Sequence, residues 1–323
     1  MCNALDFRFK AFSVAVVLSV SSQVYAAATC TTVGSSGSTG FKIAVASNFY
    51  QPAQSLAEDY ANTKGIKVEV CHDSSGNLYT ETGDDNAPQY AIFFSADTTR
   101  PKDFVDKRSS IVEGSPATYA KGIPVFVLAP SVLSSSTQTY PALSYMRTGL
   151  SSGATAESSS SSLSLSNKVV IRRSGSRTVT ALAIGNPDLA PYGVAAREIL
   201  GGDEGVANNM GLWDDNAIAP AGSDVSSSCS SKFADSGDWI CTYNNIDNTL
   251  KAIDGDKVTA GIVSYAQICD VWAGTNAYPA KQYVKFPDYP TTQDYIELKV
   301  DSASARTYAD EFLAGLGLGS SSW

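Results

Sequence analysis

The chain is expected to fold as an α/β protein of two lobes, and three features of the sequence predict this. Short apolar, β-branched runs alternate with amphipathic helical stretches. The alternation comes in two rounds separated by a serine-rich tract. The chain has 323 residues, 43% of them apolar and only 17% charged, enough to bury two medium-sized cores.

Phe41–Ala46, FKIAVA, is a short β-rich run. In the stretch behind it Phe49, Ala53, Leu56, Ala57 and Tyr60 recur at helical spacing, with Glu58, Asp59 and Asn62 on the opposite side. Pro52 is tolerated only in a first turn, so this helix starts close behind Asn48, and Gly65 supplies its stop. IKVEV predicts a second strand that runs into a loop, CHDSSGNLYTETG. YAIFFSAD, apolar almost throughout, predicts a strand covered on both faces. In the second round, IPVFVLAP, TVTALAIGNP and VTAGIVSYA predict strands, and GVAAREIL and NNIDNTLKAID predict helices. A last strand, DYIELKV, precedes a last helix, SASARTYADEFLAGLGL.

The ends of the chain set the remaining boundaries. Residues 1–26 predict a cleavable signal peptide: Arg8 and Lys10, then the apolar run Ala11–Ser22, then small residues ending at Ala26. The run is too short and too interrupted by serine for a membrane span. Residues 27–40 predict a flexible polar lead-in. Lobe one is expected over 41–122 plus 266–323, and lobe two over 123–265, with a solvated serine-rich insertion at 151–167. These features predict an exported, soluble protein, in which an oxidising compartment favours disulfides. Cys229 and Cys241 flank a polar loop that a bridge would staple, and the odd number of cysteines behind Ala26 leaves a free thiol. A net charge of −9 argues against nucleic acid and anionic membranes as partners.

Open α/β sheets bind ligands beyond the carboxyl ends of their strands, where helix N-termini present N–H groups and positive dipole ends. Four strand-to-helix junctions here carry neutral hydrogen-bonding chemistry and no Lys or Arg: Ser47-Asn48, Asp73–Asn77, Ala190–Gly193 and Tyr243–Asp247. Singly, each is an ordinary cap or turn. Their recurrence, in order, at equivalent ends of successive units points to an anion that carries no proton of its own. Against this stands a hydrolase built on His72, the only histidine, with Asp73 and the nearby serines. No nucleophile-elbow motif, phosphate-binding loop or dinucleotide fingerprint accompanies it, and His72 reads as an ordinary loop residue.

The stretches VASNFYQPAQSLAEDYANTKGIKVEV, SSGNLYTETG, YAIFFSADTTRPKDF, AIGNPDLAPYGVAAREIL and IDNTLKAIDGDKVTAGIVSYAQI resemble the periplasmic molybdate-binding proteins, the substrate receptors of molybdate/tungstate ABC importers. The resemblance implies a type II periplasmic binding fold with hinge-crossing strands and mostly parallel sheets. It implies a periplasmic monomer that hands a tetrahedral oxyanion to a membrane permease, without cofactor or catalysis; molybdenum enters only as the oxyanion. Molybdate or tungstate is the expected ligand, with sulfate as the alternative. Carried over position by position, the resemblance implies ligand contacts at Ser47, Asn48, Ser75, Tyr192 and Ile246. A fifth position, Tyr in some relatives, is Ser264 here, with Tyr265 beside it.

Overall fold

The computed structural model describes residues 27–35, 37–83, 89–133, 157–158, 181–201, 213, 215, 218–223, 225–226, 229, 240–269 and 283–318. The signal peptide, and the serine-rich insertion apart from 157–158, lie outside the described residues.

The first half begins with β1 (Thr29–Val33) and β2 (Thr39–Ala46), a 3-10 turn at Ser47–Phe49, and α1 (Tyr50–Lys64). β3 (Lys67–Asp73), α2 (Ser75–Thr82), β4 (Ile92–Phe94), α3 (Thr99–Lys107) and β5 (Ala117–Gly122) follow. The chain then enters a second sheet through β6 (Pro124–Leu128) and α4 (Pro130–Leu133). That half continues with β7 (Glu157–Ser158), β8 (Leu182–Gly185), α5 (Pro191–Leu200), β9 (Ile218–Gly222), β10 (Ile240–Tyr243), α6 (Ile246–Asp254), β11 (Ala260–Ser264), α7 (Tyr265–Ile268) and β12 (Tyr283–Lys285). β13 (Thr291–Glu297) and α8 (Ala303–Gly315) close the chain.

The six-stranded sheet runs β1-β3-β2-β4-β13-β5 and the seven-stranded sheet β7-β12-β6-β11-β8-β10-β9. The fold is α/β with two mixed sheets. Among the described residues parallel pairing is confined to β3-β2-β4 and to β11-β8-β10-β9; helices connect β2 to β3, β3 to β4 and β10 to β11. Every other pair is antiparallel, which the expectation of mostly parallel sheets did not include. Among the described residues the chain crosses between the sheets twice, from β5 into β6 and from β12 back into β13.

Burial follows the strand period. On β2, Phe41, Ile43 and Val45 pack with Ala53, Ala57 and Ala61 of α1 and Phe312 and Leu313 of α8. Ala44 faces the opposite layer with Leu78, Phe93 and Phe104. In the second sheet Val125, Val127, Ala183, Val263, Ile253 and Tyr192 share one core. At 25 cal/mol per Å² such fully buried aliphatic side chains each contribute about 1.5–3 kcal/mol.

Three boundaries differ from expectation. Residues 27–40 are not a free lead-in, because β1 pairs with β3 along its length and Cys30 is bridged to Cys71. The return to the first sheet falls later than residue 266, because β12 still pairs with β6. β3 extends through His72 and Asp73, which were expected in a loop; the parallel partner β2 continues the ladder to Ala46↔Asp73. A second bridge joins Cys229 to Cys241, and Cys269 is a free thiol.

Candidate oxyanion site

The carboxyl ends of β2, β3 and β4 face those of β8 and β10 across a cleft. Five of the residues singled out in the sequence meet there. Ser47, Asn48, Ser75, Tyr192 and Ile246 line one small cavity, about 190 Å³ with the open solvent at its mouth included, together with Ala46, Ser74, Ala96, Ala190 and Pro191. Among the described residues no charged side chain lines it.

Each position follows from local backbone chemistry. Asp73 ends β3, and Ser74 caps α2 by accepting the Asn77 N–H at 3.1 Å. Ser75 then occupies the first helical position, fully buried. Its Oγ accepts the Ala96 N–H at 2.9 Å, which leaves its own proton to donate. Pro191 opens α5 where the missing N–H costs nothing, so Tyr192 is second in the helix. Asn245 caps α6 through the Asn248 N–H at 2.8 Å, and Ile246 follows it. Helix geometry gives the N–H groups of Ser75, Tyr192 and Ile246 no intrahelical acceptor. Three helix N-termini thus converge on one cavity from both halves of the molecule.

The halves touch around this cavity. Gly76 N–H donates to the Leu189 carbonyl at 3.0 Å, and a Cβ on Gly76 would stand 2.9 Å from that oxygen. Asn245 Nδ2 donates to Asp73 Oδ1 at 2.7 Å. Arg100, paired with Asp97 at 2.9 Å, donates to the Asp188 carbonyl at 3.2 Å.

Behind the cavity a polar network reaches the crossing strands. Asn48 Nδ2 donates to Gln293 Oε1 at 3.1 Å, and Gln293 Nε2 donates to the Tyr192 hydroxyl at 3.1 Å. Ser264 Oγ donates to the same hydroxyl at 2.8 Å. Burial pushes the Tyr192 phenol pKa up, against the pull of these hydrogen bonds, so the group is neutral. Ser264 therefore acts on Tyr192 and is absent from the cavity wall, contrary to a direct fifth contact. Tyr265 also lies off the cavity; it packs against Tyr283, with Lys285 Nζ 4.0 Å from its ring centre.

Sequence reasoning missed two residues of this neighbourhood. Gln293, expected before the last strand, lies inside β13, and nothing in its polar surroundings, Thr291-Thr292 before it and Asp294 after it, marked it. His72, read as an ordinary loop residue, is only 7% exposed and lies with Nδ1 3.3 Å from Ser47 Oγ. Among the described residues, the one cluster of metal-ligating types includes Cys30 and Cys71, which are bridged and offer no thiolate.

A two-lobed α/β architecture with a donor-lined cavity between its halves defines a ligand-capturing protein of the binding-protein class. The sequence profile of the bacterial extracellular solute-binding protein family matches residues 41–317, and the chain belongs to that family. It is similar to the molybdate-binding protein ModA of Rhodobacter capsulatus, 24% identical over 269 residues, covering 83% of this chain and 80% of the relative. The fold resembles the periplasmic molybdate-binding protein of Azotobacter vinelandii, with a TM-score of 0.55, 21% identity, and coverage of 86% and 93% of the two chains. An ABC-transporter substrate-binding protein from Agrobacterium tumefaciens has a TM-score of 0.54 at 11% identity, over 90% of this chain and 80% of its own. Among the described residues no helix is long and apolar enough to cross a membrane.

Proposed function

We propose that this protein captures a tetrahedral oxyanion, molybdate or tungstate, in the cavity between its lobes and delivers it to the permease of an ABC importer. It works in this reading as an exported periplasmic monomer, released from its signal peptide behind Ala26, without cofactor or turnover. The observation that carries the reading is the state of Ser75. Its oxygen is already satisfied by the Ala96 N–H, so its proton is free for an acceptor in a cavity without a charged wall. Ser47 and Asn48, and the first-turn N–H groups of Ser75, Tyr192 and Ile246, supply the other donors.

A site of donors selects against a ligand that carries a proton. Phosphate at neutral pH mostly does, and donors dominate the lining, with the Asn48 Oδ1 atom the unpartnered buried side-chain acceptor there, so that proton is poorly met. Molybdate, tungstate and sulfate carry none, and among these size discriminates. Charge-assisted hydrogen bonds are worth about 1.5–3 kcal/mol each, so several suffice for sub-micromolar capture after the cost of closure. A ligand that engages both lobes favours the closed form, because only there are all donors engaged. The molybdate-binding relatives support the same ligand class.

The 3.3 Å approach of His72 to Ser47 invites a second reading, a serine hydrolase. The Asp73 carboxylate, its nearest acid in the chain, instead accepts from Ser74 N, Asn77 and Asn245. The cavity between the lobes is also small for an ester, so binding is the better reading.

Calorimetry and thermal melting with molybdate, tungstate, sulfate and phosphate test the proposal. Saturable binding and a raised melting temperature are expected with the first two, and no response with phosphate. A sulfate response as strong as that of molybdate would remove the size discrimination, and turnover of ester substrates would replace the binding reading with the hydrolase.

A further inference from the structure

His72 is the next-to-last residue of β3, with its ring stacked on Tyr50, the centroids 3.8 Å apart and the planes 22° apart. Tyr50 is itself held by a 2.9 Å hydrogen bond between its hydroxyl and that of Thr31 on β1, the strand bridged to β3. The ring is therefore fixed on one side by α1 and β1. Its Nδ1 points to Ser47 Oγ, at 3.3 Å.

A hydrogen bond between an imidazole nitrogen and a hydroxyl can run either way. If Nδ1 accepts, Ser47 gives its only proton to the ring and turns lone pairs to the cavity, which repel an anion. If Nδ1 carries the proton, the Ser47 oxygen accepts it and the hydroxyl proton is free for the ligand. We propose that His72 is a positioning residue for the bound oxyanion: its Nδ1–H donates to Ser47 Oγ and turns the serine proton into the cavity. The ligand in this statement rests on the oxyanion reading above.

His72 also lines a second, polar cavity of about 510 Å³, open solvent at its mouth included, shared with the donors Asn244, Asn248 and Lys251 and with the carboxylates Asp73 and Asp247, so it admits either tautomer. Those donors, or water in so polar a space, are available to an unprotonated Nε2.

The titratable groups around the ring are Tyr50 on α1, Asp73 on β3, and Asp247 and Lys251 on α6; β1 presents Thr29 and Thr31. Burial lowers the His72 pKa, Asp247 opposes this, and Lys251 adds to it, so the ring is neutral at pH 7. A bound dianion beyond Ser47 favours the imidazolium, which retains the Nδ1 proton. Binding then takes up a proton below neutral pH, and affinity rises as pH falls.

The test uses full-length mature protein and molybdate as the probe, with calorimetry from about pH 8 to about pH 6, and nitrogen NMR of the single imidazole. His72→Phe keeps the stack and loses the hydrogen bond; His72→Asn keeps an N–H near the Nδ1 position and does not titrate. Wild type is expected to bind about threefold tighter at the acid end, as a binding-induced rise in imidazole pKa requires. The Phe variant is expected to bind about tenfold more weakly at neutral pH, and the Asn variant to recover most of that loss. Both should lose the pH dependence. A neutral ring protonated on Nε2, or a Phe variant with wild-type affinity and pH profile, overturns the assignment. Should the Phe variant fail to fold, the imidazole tautomer and the Asn variant decide. No binding by wild type overturns the oxyanion reading itself, whereas wild-type binding with an unaffected variant overturns only the role of His72.

Discussion

Ser47 and Ser75 are chemically alike and supported differently. Ser75 Oγ is held by a backbone N–H from the strand β4 loop, and Ser47 Oγ by a side chain. Ser75→Ala removes a donor and also leaves the buried Ala96 N–H without its acceptor. It is expected to weaken oxyanion binding about tenfold to a hundredfold, with a measurable loss of melting temperature, whereas Ser47→Ala should lower affinity by a similar factor at nearly unchanged stability. Calorimetry paired with thermal melts separates the two. In the proposed oxyanion reading Asp73 works against the ligand, as a buried carboxylate next in sequence to Ser74 of the cavity wall. Burial raises its pKa, and hydrogen bonds from Asn245, Ser74 and Asn77 offset this only in part. A raised carboxylate pKa means the folded form prefers the protonated acid, so this group costs stability as pH rises through the carboxylate range. Asp73→Asn should therefore stabilise the protein at neutral pH and tighten oxyanion binding several-fold. The Asn77 Oδ1 atom, buried without a partner, can accept from the new amide after a flip. Melting curves at acid and neutral pH check the sign: the gain should vanish at low pH.

Among the elements, α2 decides how closely the halves approach. Its second residue, Gly76, gives its N–H to Leu189 of the opposite half and leaves no room for a side chain. Gly76→Ala is expected to hold the lobes apart and weaken capture by at least tenfold, while the unliganded protein melts within a few degrees of wild type. Small-angle scattering with saturating ligand should show a larger radius of gyration than wild type; identical scattering and affinity would refute the role of this contact. The strand β1 has a different task. Through Cys30–Cys71 and the Thr31–Tyr50 contact it braces the strand that carries His72 and Asp73. The bridge closes a loop of 41 residues, and removing it with Cys30→Ala/Cys71→Ala should cost about 3–4 kcal/mol. Chemical denaturation measures this directly, and an unchanged midpoint would show that strand pairing alone holds β1.

At the scale of the whole molecule, the two crossings between sheets place a hinge beneath the site. Gln293, on the strand entered at the second crossing, joins Asn48 of one half to Tyr192 of the other. Gly122, at the first crossing, lies against the Tyr192 hydroxyl, where a Cβ would collide with it. The parts of this design that the sequence determined by itself are local. Apolar periodicity marked β2, α1, α5 and α6, and caps and small residues marked the four strand-to-helix junctions, because N-cap and first-turn chemistry depends on neighbours a few positions away; within those junctions it was the family resemblance that singled out Ser47, Asn48, Ser75, Tyr192 and Ile246. Only the tertiary structure decided what stands behind those residues. His72 became a buried partner of Ser47, 25 positions away, because β2 and β3 pair in parallel and bring their ends side by side. Ser264, expected as a ligand contact, instead donates to the Tyr192 hydroxyl, a pairing 72 positions apart in the chain. Gln293 and β1 acquired their roles through contacts 245 and 41 positions long. Such pairings are fixed by sheet order and packing, which no local pattern encodes.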